Sequence, residues 1–164
     1  APPHRQPTTG DTDRMRILVL NGPNLGHLGK RQPEIYGHQS MEDVPGLVRQ
    51  LLGADAAGLE LTFRQANGEG ALIDILEEAW REGARGVVLN AGAYTHTSLA
   101  LADCLAWIKI PTVEVHLSNV LARTDEPLRQ KSFIGKHCLG VIAGFGVLGY
   151  ALAIQTLWLK GRPE

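Results

Sequence analysis

Five short apolar runs, each followed by a helical pattern or a long polar stretch, constrain this chain more than any other feature. The runs are RILVLN (16–21), LELTFRQ (59–65), GVVLNA (86–91), PTVEVHL (111–117) and GVIAG (140–144). Near-continuous apolar strands belong to parallel sheets buried on both faces. The helical patterns between them carry their own start and stop signals. Ser40 and Asp43 open SMEDVPGLVRQLLGAD with capping-box spacing, and Pro45 is tolerated in the first turns. EGALIDILEEAWREG places Leu72, Ile75, Leu76 and Ala79 on one face and stops at Gly83. HTSLALADCLAWIK and VLGYALAIQTLWLK complete the set. This alternation predicts an α/β fold with helices on both faces of a five-stranded parallel sheet. In a chain of 164 residues it favours the flavodoxin-like doubly wound order.

Composition narrows the class. Hydrophobic residues make up 44%, enough for the core of one domain, expected over 15–164. A net charge of -1 gives no support for nucleic acid or an anionic membrane surface as partner. Cys104 and Cys138 form no CxxC pair and read as reduced thiols of a cytoplasmic protein. The first residues, APPHRQPTTGDTDR (1–14), lack an apolar core, so they read as a disordered leader and not as a signal peptide. The apolar stretch VLGYALAIQTLWLKG contains Gln155 and falls short of the roughly 20 residues a membrane span needs.

Ligands of such sheets bind outside the carboxyl ends of the strands, and those ends carry the polar residues here. The first strand ends at Asn21 and runs into a long loop with Asn24, Lys30, Arg31 and Tyr36. The second ends at Arg64 and Gln65, and the third at Asn90, with His96 and Ser98 beyond it. The fourth carries Glu114, His116 and Ser118, followed by Arg123 and Arg129.

Each signal has a plain structural reading beside the chemical one. Glu114 and His116 are two apart on a strand and share a face. They form either a buried ion pair that orders the strand end or a carboxylate–imidazole pair suited to general acid work. The second histidine at the same edge favours chemistry. NAGAYTHTS reads partly as a turn with Thr95 or Thr97 capping the next helix, which leaves Asn90 and His96 at the mouth unexplained. Asp103 alone reads as a solvent-facing helix charge. Arg31 and Tyr36 are a surface arginine and a packing tyrosine, or a base whose phenolate the guanidinium favours; long loops over a ligand edge are often lids.

GFGVLG matches G-x-G-x-x-G, but too little chain follows Gly149 to supply a second strand with an acidic residue. Its glycines read as a tight turn and close helix–sheet packing. No GxxxxGK[ST] is present. His96, Glu114 and His116 offer metal donors without HExxH spacing. A metal-dependent hydrolase and a flavin- or phosphate-binding module therefore stand as rival readings.

The segments NGPNLGHLGKRQPEIYG, FRQANGEGALIDIL, LNAGAYTHTS, VEVHLSN and GVIAGFGVLGY, in this order, resemble the type II 3-dehydroquinate dehydratase family. The resemblance runs from Met15 to about Leu159. It implies a flavodoxin-like fold and dehydration of 3-dehydroquinate to 3-dehydroshikimate, a shikimate-pathway step, with no metal and no cofactor. It implies Tyr36 as base, Arg31 as the group that keeps it ionised, and Asn24 as a holder of water against an enolate oxygen. His116, oriented by Glu114, would be the acid. Asn90, His96 and Arg129 would bind substrate hydroxyls, and the amides of Leu117 and Ser118 would cradle the carboxylate. Asp103 would reach the site of a neighbouring subunit in a homo-oligomer, a dodecamer built as a tetramer of trimers. The sequence departs from the family pattern at Gly26, His27, Gly68, Ala71 and Leu139, and the span between Arg123 and Arg129 is longer than usual.

Overall fold

The computed structural model describes residues 14–27 and 39–162. The expected leader, apart from Arg14, lies outside the described residues, and so do Lys30, Arg31 and Tyr36. All five expected strands form: β1 (Met15–Asn21), β2 (Leu59–Gln65), β3 (Gly86–Asn90), β4 (Thr112–His116) and β5 (Gly140–Ala143). They pair in parallel in the order β2-β1-β3-β4-β5. This is the flavodoxin-like order, with its switch point between β1 and β3.

Among the described residues four α-helices cover the sheet: α1 (Val44–Leu52), α2 (Glu69–Glu82), α3 (Leu99–Ile108) and α4 (Leu148–Gly161). The period of two along each strand sends alternate side chains to opposite faces. Ile17, Val19, Val88, Val113 and Val115 pack with Val48, Tyr150, Ile154 and Leu157 of α1 and α4. Leu18, Leu20, Val87 and Leu89 pack with Leu72, Leu76, Leu101 and Leu105 of α2 and α3. Burying such a side chain stabilises the fold by about 1.5–3 kcal/mol. Truncating one inside a layer, as in Leu20→Ala, costs about 2–5 kcal/mol because the cavity collapses only in part. The inner strands β1, β3 and β4 are thereby held rigidly, and the site stands at their ends.

The local signals act largely as expected. The Ser40 amide donates to the Asp43 carboxylate at 2.8 Å, at the head of a 3-10 turn (Met41–Asp43) that runs into α1. Gly83 ends α2 in the left-handed region, at φ 79°. Gly144 and Gly146 take φ of 98° and 58°, and their amides donate to the carbonyls of His116 and Leu117. The GFGVLG segment is thus a turn that ties the end of β4 to the start of α4.

One cap differs from expectation. Neither Thr95 nor Thr97 caps α3; Ser98 does, its Oγ accepting from the Leu101 amide at 2.9 Å. A 3-10 turn over Gly92–His96 takes up Thr95, and Thr97 Oγ1 donates back to the Ala93 carbonyl, so Ser98 is the residue left at the helix start. No described helix is long and apolar enough to cross a membrane.

Candidate active site

A cleft opens at the carboxyl end of the sheet, beside the switch point. Its walls include Asn24, Asn90, His96, His116, Leu117, Ser118 and Arg129, seven of the residues expected there, together with Arg123. Each comes from a different place in the chain. Asn24 follows β1 in a left-handed conformation, φ 68°, which asparagine tolerates better than most residues. Asn90 ends β3, and His96 ends the 3-10 turn after it. His116 ends β4, and Arg129 sits on a short 3-10 turn, Pro127–Gln130.

Two expected polar groups turn away from the cleft. Arg64 pairs with Glu78 at 3.4 Å. Gln65 donates to the Gly22 carbonyl at 3.1 Å and to Asn67 at 2.9 Å, bracing the loop after β1. Both sit on β2, which lies beyond the switch point from β3 and β4. Asp103 is exposed on α3 and is not among the residues that line the cleft.

An ionised cluster forms one side of the site. Glu114 is only 2% exposed. Its Oε2 lies 2.6 Å from His116 Nε2, and its Oε1 accepts from Ser132 Oγ at 2.6 Å. Burial by itself raises this carboxyl's pKa. The hydrogen bonds from His116 and Ser132, with the nearby charges of His116 and His96, outweigh it and hold the carboxyl below its ordinary 4.5. Glu114 is therefore a carboxylate at neutral pH, able only to accept, so His116 Nε2 carries a hydrogen. That leaves His116 Nδ1 for a ligand in the cleft.

His96 is fixed by a different device. Its Nδ1 lies 2.6 Å from the Lys131 carbonyl. A carbonyl only accepts, so Nδ1 holds the hydrogen; whenever the ring is neutral, Nε2 is the acceptor. The two imidazoles stack at 6.2 Å between centroids, 16° from parallel. Among the described residues no three His, Cys, Asp or Glu side chains are arranged to hold a metal.

A neutral cluster supports the other side. Tyr150 OH, from α4, donates to Asn21 Oδ1 at 2.6 Å and accepts from Asn90 Nδ2 at 2.9 Å. The Gly92 amide donates to Asn90 Oδ1 at 3.2 Å. These bonds fix which way the Asn90 carboxamide faces. Burial pushes the Tyr150 hydroxyl well above its ordinary value, with the Asn90 hydrogen bond opposing it, so it stays neutral.

Ser132 and Tyr150 were not among the residues expected at the site. No spacing rule ties Ser132 to Glu114 or Tyr150 to Asn21, and no local pattern in the sequence marks either.

The profile of the family described as Dehydroquinase class II matches residues 15–158. A 3-dehydroquinate dehydratase of Methylobacterium radiotolerans is 53% identical over 149 residues, covering 90% of this chain and 97% of that one. One from Exiguobacterium is 51% identical over 143 residues, covering 87% and 94%. The crystal structure of the type II dehydroquinase from Butyrivibrio crossotus superposes with a TM-score of 0.78 at 41% identity, over 89% of this chain and 99% of that one. The type II dehydroquinase from Propionibacterium acnes gives a TM-score of 0.75 at 38% identity, over 88% and 97%. Strand order and sequence point the same way, and this chain belongs to the class II dehydroquinase family.

Proposed function

We propose that this chain dehydrates 3-dehydroquinate to 3-dehydroshikimate, a step of the shikimate pathway, by anti elimination through an enolate. The observation that carries the acid half is the buried Glu114–His116 pair, 2.6 Å apart, with His116 on the cleft wall. The same enzyme would serve quinate catabolism where that route exists.

The chemistry needs a base and an acid of opposite protonation state at one pH. Tyr36, as phenolate, takes a proton from the carbon next to the ketone, and that electron pair forms the enolate. A free tyrosine titrates near pH 10, so the reading requires a cation beside it, and Arg31 is that cation. Asn24 holds a water against the enolate oxygen. The enolate then re-forms the ketone, the carbon–oxygen bond to the hydroxyl breaks, and His116 gives that hydroxyl its proton. Water leaves, and a conjugated enone remains. The Tyr36 proton passes to solvent and His116 is reprotonated from it.

Binding follows from the cleft walls. The acceptor Nε2 of His96 receives a substrate hydroxyl, and Asn90 and Arg129 take others. The Leu117 and Ser118 amides hold the carboxylate. Leu99, Asp103 and Trp107 recur every fourth residue on α3, and all three are exposed, Leu99 at 65% and Trp107 at 48%. An exposed apolar stripe with a carboxylate in its middle supports a second copy seated there, with Asp103 delivered to that copy's site in a dodecamer.

Tyr36→Phe tests the reading. Turnover falls by about 10²–10⁴, the range for losing an acid–base group, while equilibrium binding of the substrate persists. Near-normal turnover would remove the tyrosine base.

A further inference from the structure

Glu114 has two carboxylate oxygens, and only one is needed by His116. The other is taken by Ser132 Oγ at 2.6 Å. That hydroxyl is itself aimed, because it accepts from the Gly135 amide at 2.9 Å and so has its hydrogen left for the carboxylate. Ser132 belongs to a strap of three consecutive residues that run beside the site. Lys131 gives its carbonyl to His96 Nδ1, Ser132 its hydroxyl to Glu114, and the Phe133 amide bonds the Thr95 carbonyl at 2.9 Å.

We propose that Ser132 is a positioning residue for the reaction: it clamps Glu114 by one oxygen so that the other faces His116, and the strap that carries it orients His96 in the same stroke. The inference rests on the reading of His116 as the acid.

What Ser132 supplies is orientation. Without Ser132 the buried carboxylate loses its second donor and is free to rotate about its terminal torsion, which is broad for sp³–sp² bonds. Oε1 and Oε2 then compete for His116 Nε2. A buried acceptor left unpaired is also costly, so the ionised form loses support. The groups that face this carboxylate are few. They are His116 on β4, His96 on the turn after β3, Ser132 on the strap, and Cys138 before β5, whose thiol feels the Glu114 charge. Of the two that hydrogen-bond Glu114 through side chains, only Ser132 does not titrate.

The sign follows from this. Hydrogen bonds to the charged form lower a carboxyl pKa. Removing one raises it, so protonation of Glu114 begins at higher pH and the acidic limb of the rate profile moves up with it.

The test uses the full chain with ¹³C-labelled glutamate carboxyls, comparing the natural protein with Ser132→Ala and Ser132→Thr. Ser132 is exposed, so neither change enters the core, and thermal melting verifies folding. The Ala variant is expected to raise the Glu114 titration midpoint, lower kcat by roughly tenfold or more and leave KM nearly unchanged; the Thr variant, which keeps the hydroxyl, restores the midpoint and kcat. An unmoved midpoint, or a moved midpoint with unchanged kcat, overturns the proposal. His116→Gln separates the two levels. If it is active, the acid assignment itself fails. If it is inactive while Ser132→Ala behaves as the natural protein, only the clamp fails.

Discussion

Two polar clusters support one cleft, and they differ in kind. The Asn21–Asn90–Tyr150 cluster is neutral and buried, joins β1, β3 and α4, and reaches the cleft through Asn90. The Glu114–His116–Ser132 cluster is ionised, and one of its members opens onto the cleft. The first has no group that titrates near neutral pH, so it contributes rigidity that does not change with pH around neutrality. The second holds a charge against burial through hydrogen bonds, so it is sensitive to pH; under the proposed function it also supplies the acid. A binding site needs fixed donors and acceptors; an elimination also needs a proton held in reserve. Under the proposed function the two tasks fall to different clusters of one cleft.

Breaking the ionised cluster should have the largest effect. His116→Gln is expected to lower kcat by about 10²–10⁴. Glu114→Ala is expected to lower it nearly as far and to alter the pH–rate profile. A Glu114→Ala variant with an unchanged profile would show that the pair does not act as acid and orienter. Substrate binding by equilibrium titration should survive His116→Gln, because Asn90, His96 and Arg129 remain.

Breaking the neutral cluster should act on stability first. Tyr150→Phe removes one hydroxyl and leaves Asn21 Oδ1 and Asn90 Nδ2 without that partner. The expected cost is about 1–3 kcal/mol per group left unpaired, read by denaturant unfolding. The acidic limb of the rate profile should not move. A shifted limb with unchanged stability would reverse the roles assigned to the two clusters.

The clusters also predict opposite pH dependence of stability. Glu114 titrates lower in the folded chain than its ordinary 4.5. Its contribution is therefore complete above that value and is lost as pH falls through the lower, folded value. Tyr150 titrates higher when folded than its ordinary 10.0. Its contribution is complete below 10.0 and is lost as pH rises towards the folded value. Melting temperature against pH should fall at both ends, and Tyr150→Phe should remove part of the alkaline fall only.

The smallest effect concerns the thiols. Burial, with the charge of Glu77, pushes Cys104 up to about 11; burial, with the charge of Glu114, pushes Cys138 up to about 12. Thiolate is the reactive form, so alkylation of the folded protein at neutral pH should be slow at both. Fast labelling of Cys138 would mean that the strap opens readily beside Glu114.

Much of this was legible in the sequence, for physical reasons. Strands buried on both faces must be apolar throughout, so their polar ends stand out; Asn90 and His116 are such ends. Glu114 and His116 are two apart, and a strand's period puts them on one face. The ionised cluster was readable only as far as that period reaches. Ser132 meets Glu114 through a loop, and Tyr150 meets Asn21 from the far end of the chain; no local periodicity encodes either contact. The cap of α3 is ambiguous in the sequence because Thr95, Thr97 and Ser98 are all good caps, and the choice among them depends on where the 3-10 turn ends. Arg64 and Gln65 end a strand as Asn90 does, yet they miss the cleft because the sheet order places β2 outside it. Periodicity reports the face of an element, and tertiary order decides which elements share an edge.

Every role assigned above depends on the dehydration itself. The most direct test adds 3-dehydroquinate to the purified, chelator-treated chain and follows ultraviolet absorbance of the conjugated enone. A rise that continues to equilibrium, and that Tyr36→Phe abolishes, is the predicted result. A folded, correctly assembled protein that gives no rise would contradict it.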